Sequence, residues 1–293
     1  MKLNKERQGE IFILCEIALW GLFPVITILS LNKLSPLVSL VGSTFFATIF
    51  FAVLLSIKKE WHELMTTSAY RDILLTTFII GILCYIFSFF GLQHTSAGNA
   101  SIITLTEIFF SFLFFHVLRK DYIPVQHTIG AVLVVCGAII VLYPNIHSLQ
   151  IGDLFILLAA FIAPLGNFFT QRARKKVSSE TIMFIRSIIT TLFILLLILI
   201  FRIDFSFSDL ESSSLLLLIN GIFLLGLSKI MWIEGIHRIS VTKAGALGSM
   251  APLLTLFYAW LLLKDIPTVW QLFSLIPMAF GVILLSRQSL TRN

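Results

Sequence analysis

From Ile11 to Ser286 the chain is a succession of apolar runs of about 18 to 24 residues. A helix rising 1.5 Å per residue needs that length to cross a hydrocarbon layer roughly 30 Å thick. Cut at charges, prolines, glycines and polar clusters, the runs are Ile11 to Leu31, Pro36 to Ile57, Asp72 to Leu92, Ser96 to Leu118, Gln126 to Tyr143, Gly152 to Gln171, Ser179 to Phe201, Ser213 to Ile236, Ser240 to Leu263 and Val269 to Ser286. The expectation is an all-α membrane protein of about ten transmembrane helices, with nothing left over for a soluble domain. Composition agrees, since only 12% of the 293 residues are charged and 58% are hydrophobic, against about 25% charged in soluble chains.

The net charge of +6 does not call for nucleic acid, because the basic residues sit in the short connections. With alternate connections assigned to opposite sides, one side collects fifteen: Lys2, Lys5, Arg7, Lys58, Lys59, Arg71, Arg119, Lys120, Arg172, Arg174, Lys175, Lys176, Arg238, Arg287 and Arg292; the other has Lys33, Arg202 and Lys264. The positive-inside rule then puts both termini in the cytoplasm of a bacterial-type plasma (inner) membrane. Lys2, Lys5 and Arg7 ahead of an apolar stretch resemble a secretory signal, but Ile11 to Leu31 is too long and has no A-x-A-like site, so it reads as a retained first span. Cys15, Cys84 and Cys136 all lie within apolar runs without metal-ligand or C-x-x-C spacing and read as packing residues.

The chain also repeats itself. Gly9-Glu10-Ile11-Phe12-Ile13-Leu14 matches Gly152-Asp153-Leu154-Phe155-Ile156-Leu157 at an offset of 143, and Gly91, Ser96, Ala100, Lys120, Asp121 and Gly137 match Gly235, Ser240, Ala244, Lys264, Asp265 and Gly281 at 144. The two units are residues 1–146 and 147–293. Five spans per unit, an odd number, means the second enters the membrane in the opposite sense. That inverted 5+5 arrangement is common in secondary transporters, whose sites lie near the midplane where the halves meet.

The fourth and ninth spans run from Ser96-Ala97-Gly98-Asn99-Ala100-Ser101 to Arg119-Lys120-Asp121 and from Ser240-Val241-Thr242-Lys243-Ala244-Gly245 to Lys264-Asp265. With the repeat, these stretches resemble the EamA-type members of the drug/metabolite transporter superfamily over nearly the whole chain. The resemblance implies ten helices and transport of a small organic molecule. Family members often leave these spans at Gly-Glu, where this chain has Lys-Asp twice. Their mid-span acid or polar residue followed by Pro is here divided between Glu107-Ile108 and Ala251-Pro252.

An ionisable side chain deep in a span costs at least about 2.5 kcal/mol, so it normally faces a partner or a cavity. Four stand out: Glu16 and Glu107 in the first half, Arg186 and Lys229 in the second. In one reading the acids and bases simply neutralise one another. In the other they line a cavity where the bases attract a carboxylate or phosphate and an acid attracts an amine or carries a proton; Glu107, near mid-span, is the best candidate for proton coupling. Trp20, Phe23, Tyr85, Trp232, Tyr258 and Trp260 are candidate stacking residues for a flat or cationic substrate, although most of so many aromatics must serve packing or face lipid.

Pro24, Pro164, Pro252 and Pro277 interrupt apolar runs internally, and Pro164-Leu165-Gly166-Asn167 is the expected broken segment, with Asn167 supplying polarity. Asn99 and Asn220 are expected to bridge helices. Gly130 with Gly137, and Gly245 with Gly248, permit either close packing within the chain or a homodimer face. His94, His116 and His237 form no metal site, and no cofactor is expected.

The favoured function is thus a secondary carrier, gradient-driven or exchanging, of an amino-acid-like or zwitterionic metabolite, with a coupling proton or counter-solute as partner. A nucleoside-type metabolite such as S-adenosylmethionine is the alternative cargo. A membrane-embedded enzyme would need a clustered His/Asp/Glu set or a deep Ser with His, and neither is present. A channel would need a ring of charges, and ATP-driven transport a G-x-x-x-x-G-K-[ST] loop.

Overall fold

The structure is a computed structural model that describes residues 5–114, 125–143, 150–236, 238–239, 244 and 247–286. Among these the chain forms ten helical spans. In order they are α1 (Lys5–Leu31), α2 (Pro36–Lys58), α3 (Thr67–Gln93), α4 (Ala97–Thr104 and Thr106–Phe112), α5 (Val125–Leu142), α6 (Ile151–Arg174), α7 (Ser179–Ile200), α8 (Phe207–Gly235), α9 (Ala251–Leu263) and α10 (Val269–Ser286). All but α4, α9 and α10 are individually long and apolar enough to cross a bilayer. The outward faces carry exposed Phe45, Ile49 and Val53 on α2, Leu192, Leu196 and Leu199 on α7, and Phe273, Ile276 and Phe280 on α10. Hydroxyls and amides such as Thr27, Ser30, Ser39, Thr44 and Asn220 are turned inward, the polarity of a bundle whose solvent is lipid.

The packing repeats with the sequence. Helices α5 and α10 pack on each other, as do α2 and α7; α1 packs on α8 as α6 does on α3, and α2 on α8 as α7 on α3. Adding five to each helix of the first unit reproduces these pairs, so every major seam joins the two halves. The match reaches single atoms. A Cβ on Gly91 would lie 2.7 Å from Ile156 Cδ1 and 3.1 Å from the Gly152 carbonyl; one on Gly235 would lie 2.4 Å from Ile13 Cδ1 and 3.5 Å from the Gly9 carbonyl. Each member of the first set is the repeat counterpart of one in the second. Both third helices also widen into a π-helical stretch at the same place, Thr77–Cys84 in α3 and Ile219–Leu227 in α8.

Several sequence expectations need correction. The α6 helix is continuous from Ile151 to Arg174 across Pro164, and it is α1 that breaks, at Gly21-Leu22 between Trp20 and Phe23. A proline removes the hydrogen bond to the carbonyl four residues back and crowds the intervening turn. Before Pro24 that turn holds Gly21, a weak helix former, whereas before Pro164 it holds Ala160, Phe161, Ile162 and Ala163, and Gly166 follows only afterwards. Pro24 and Pro252 stand in first turns, of the second α1 segment and of α9, rather than interrupting helices. Cys15 and Cys136 are exposed, leaving Cys84 as the buried cysteine. Gly130 and Gly137 face α10 within the chain, against the Gly281 and Ser274 carbonyls, and are not free to form a dimer face. Nothing lies within 4 Å of a Cβ placed on Gly248. The exit Arg119-Lys120-Asp121, the stretch Ser240 to Lys243, Gly245, His116, His237, Lys2, Arg287 and Arg292 lie outside the described residues.

The ends of the bundle are closed by polar contacts between the halves. At the end where α2 finishes and α3 begins, Asp72 is 1% exposed and ion-pairs with Arg172 at 3.3 Å and Lys176 at 3.1 Å, while Lys58 pairs with Glu180 at 2.5 Å. Beside them Glu63 accepts from the Ser178 amide at 2.6 Å and the Thr181 hydroxyl at 2.8 Å. At the other end Gln271 donates to Asn99 Oδ1 at 2.8 Å and to Ser96 Oγ at 3.2 Å, next to a polar cavity of about 340 Å³ that includes His94 and Asp265.

Candidate functional site

Three local features place polar groups in the middle of the bundle. The break in α1 ends its first segment at Trp20, with Glu16 one turn earlier. The π-helical stretches end at Cys84 in α3 and Leu227 in α8, immediately before Tyr85 and two residues before Lys229. Such stretches shift the side chains that follow and recur at functional sites. The third feature is the turn at Leu105 that divides α4 and sets Glu107 in the first turn of the second segment. Threonines 104 and 106 bond back to the carbonyls of Ala100 and Ile103, at 2.7 Å and 2.6 Å, a pattern that bends helices.

These elements bring the four ionisable residues into one neighbourhood. Lys229 Nζ lies 4.0 Å from Glu16 Oε1 and 3.0 Å from the centre of the Trp20 ring, and Trp20 stacks on Phe23 with centroids 4.6 Å apart. Arg186, from α7, donates to the Tyr85 hydroxyl at 3.2 Å and sets its guanidinium 5.7 Å from the same ring's centre. Glu107 accepts from Asn167 Nδ2 at 2.7 Å. Lys229 interacts electrostatically with Glu16, Arg186 and Glu107, and Cys84 with Glu107 and Arg186. The neutralising reading therefore holds for half of the charges: Glu16 and Lys229 pair, but among the described residues Arg186 and Glu107 pair with no opposite charge within 4 Å.

Glu107 and Asn167 are not sealed in the packed core. Asn167 is exposed although it lies on the inward side of α6. Leu165, two residues earlier and so about 200° around the helix, belongs with Leu154, Leu158 and Phe161 to the outward apolar face. Glu107 is likewise only half-buried. The amide and carboxylate thus meet between α4 and α6, on the face of α6 opposite its apolar surface.

The remaining candidates lie elsewhere. Trp232 packs with Ile13, Ile17 and Ala244 in an apolar seam, Tyr258 with Val25, Ala97 and Ala259, and Trp260 is 52% exposed on the outer surface. Asn99 and Asn220 do bridge helices, the latter donating to Thr27 at 3.1 Å. Sequence reasoning missed Gly21, which breaks α1. Gly21 could have been found from its place in the turn before Pro24.

Two like units of five helices, packed across a common seam with ionisable groups at its centre, define a repeat-built membrane carrier, and the comparisons agree. The model of the EamA-like transporter family matches twice, over residues 7–143 and 150–287, and the chain belongs to that family of non-enzymatic membrane transporters. It is 24% identical to an uncharacterised transporter of Methanothermobacter thermautotrophicus over 78% of this chain and 68% of that one. It is also 24% identical to an uncharacterised transporter of Bacillus subtilis over 73% and 72%. A crystal structure titled only as that of a protein shares the fold, with a TM-score of 0.68 at 17% identity over 95% of this chain and 96% of that one.

Proposed function

We propose that the chain is a secondary transporter, driven by a gradient or by exchange, for an amino-acid-like zwitterion held between its halves, residues 1–146 and 147–293. Arg186 carries the reading. It is 5% exposed and has five N–H donors, yet among the described residues its hydrogen bond is the one to Tyr85. A buried cation without an anion is costly, and a substrate carboxylate would relieve it. The substrate ammonium would meet Glu107 and Asn167, with Tyr85 as the aromatic wall. Trp232 and Tyr258 line the pathway only if the halves rearrange.

Glu107 is the proposed coupling residue, taking up a proton when substrate leaves. The charge asymmetry of the loops supports cytoplasmic termini in a bacterial-type inner membrane. A flat nucleoside-type metabolite such as S-adenosylmethionine is the second cargo, with the Tyr85 ring as the aromatic face it would meet.

The test is counterflow in proteoliposomes across amino acids, nucleosides and organic cations, with and without a pH gradient. Zwitterions should exchange, and Glu107→Gln should abolish stimulation by the gradient while leaving counterflow. Full gradient-driven transport by the variant would remove Glu107 from the mechanism, and no exchange of any solute would remove the carrier reading.

A further inference from the structure

The repeat that pairs the two halves also exposes where they differ. At the offsets the matching glycines fix, 143 for the first helix of a unit and 144 for the third, Lys229 corresponds to Tyr85, Glu16 to Ala159 and Trp20 to Ala163; with the second helices aligned on their first residues, Pro36 and Ser179, Arg186 corresponds to Ser43. Those offsets hold in space, because Gly91, Gly152 and Ile156 meet as Gly235, Gly9 and Ile13 do. Cys84 Sγ donates to the Ala159 carbonyl at 3.6 Å, and at the same offsets the counterparts of these two residues are Ser228 and Glu16. The centre therefore consists of two half-sites built on one plan with different contents.

In the α1–α8 half-site, a carboxylate and an indole face hold a primary ammonium. Lys229 Nζ is 3.0 Å from the Trp20 ring centre and 4.0 Å from Glu16, and Phe23 backs the indole. Glu16 is 5% exposed, and the Lys229 side chain is 20% exposed. A carboxylate with an aromatic face is a general solution for binding an organic cation. Here the cation is tethered to the chain. In the α3–α6 half-site the two groups that would hold a cation are replaced by alanines, and the counterpart of the lysine is a tyrosine under an arginine with no anion partner.

We propose that Glu16 and Trp20 form an ammonium-binding subsite that the protein fills with its own Lys229, leaving the Arg186–Tyr85 half-site to the substrate. The inference deepens the carrier reading above and rests on it for its biological meaning. It limits the substrate to a single ammonium, because the second cation position is already occupied from within. Compounds with two ammonium groups would compete with Lys229 for Glu16 and be excluded.

The test reads binding rather than transport, so that its failure is separable from failure of the carrier reading. In Lys229→Ala the vacated volume matches a short primary amine. Butylammonium chloride at millimolar concentration should raise the melting temperature of the detergent-purified full chain by several degrees over sodium chloride. It should do nothing for wild type, for Lys229→Met, whose side chain still fills the space, or for the doubles Lys229→Ala/Glu16→Gln and Lys229→Ala/Trp20→Leu. Tetrabutylammonium, too large for the space, should be without effect. If Lys229→Ala folds only when membranes are prepared in butylammonium, that also supports the proposal. A folded Lys229→Ala that is indifferent to butylammonium overturns it. So does a variant not recovered with or without amine while Lys229→Ser behaves the same, or stabilisation of wild type equal to that of the variant.

Discussion

What matters at residue scale is which charge has a partner. Lys229 is met by Glu16 and Trp20, and Asp72 by Arg172 and Lys176, whereas among the described residues Arg186 keeps only a phenol. Truncating a buried hydrogen-bonded charge that meets a ligand costs about 2 to 5 kcal/mol. Arg186→Ala should accordingly weaken zwitterion binding by about 30-fold or more. Arg186→Lys should recover part of it, since a point charge replaces a planar fork. Isothermal titration or counterflow half-saturation measures both, and an Arg186→Ala protein binding as tightly as wild type would place the substrate carboxylate elsewhere. Glu107 and Lys229 were visible in the sequence as costly residues in apolar runs. Which acid meets which base was not, because the partners come from helices up to 213 residues apart.

At the scale of the helix the controlling residues are those with the least side chain. Gly281 of α10 and Gly130 of α5 approach so closely that a Cβ on Gly281 would lie 2.6 Å from the Gly130 carbonyl, with Val134 N at 2.9 Å. Backbone cannot step aside as a side-chain tip can, so Gly281→Ala should separate α5 from α10 and destabilise the chain by about 1 to 3 kcal/mol. Gly248→Ala, in open space, should leave the melting temperature in detergent unchanged. Equal melting of the two variants would contradict the packing of α5 on α10. The small-residue pattern was legible as close packing, but the choice between a neighbouring helix and a second copy needed the fold. The π-helical stretches were not legible at all. Thr77–Cys84 and Ile219–Leu227 share little sequence beyond apolar character, and the wider turn is imposed by packing on α2, α6 and α7 rather than by local propensity.

For the molecule as a whole, the five-plus-five plan makes the two ends of the bundle equivalent in design and unequal in charge. Of the fifteen basic residues assigned to one side, Lys58, Lys59, Arg71, Arg172, Arg174, Lys175 and Lys176 sit at the end where α2 and α6 finish and α3 and α7 begin, the end that the proposed orientation puts in the cytoplasm. Reporter fusions should follow: a fluorescent protein joined at either terminus should mature inside the cell, and alkaline phosphatase inserted in the connection at Lys33 should be active outside. The opposite pattern at both sites would reverse the orientation. The number of spans, the repeat and its offset, and the presence of four charges in the membrane were determined by the sequence alone, because the cost of placing unpaired backbone or charge in hydrocarbon leaves a chain like this few choices. Only the tertiary structure decided that α1 rather than α6 is broken, and that Glu16 is committed to Lys229 while Arg186 is left free of any anion among the described residues. Those outcomes depend on which side chains two halves bring together across a seam, and no single stretch of sequence contains both sides of it.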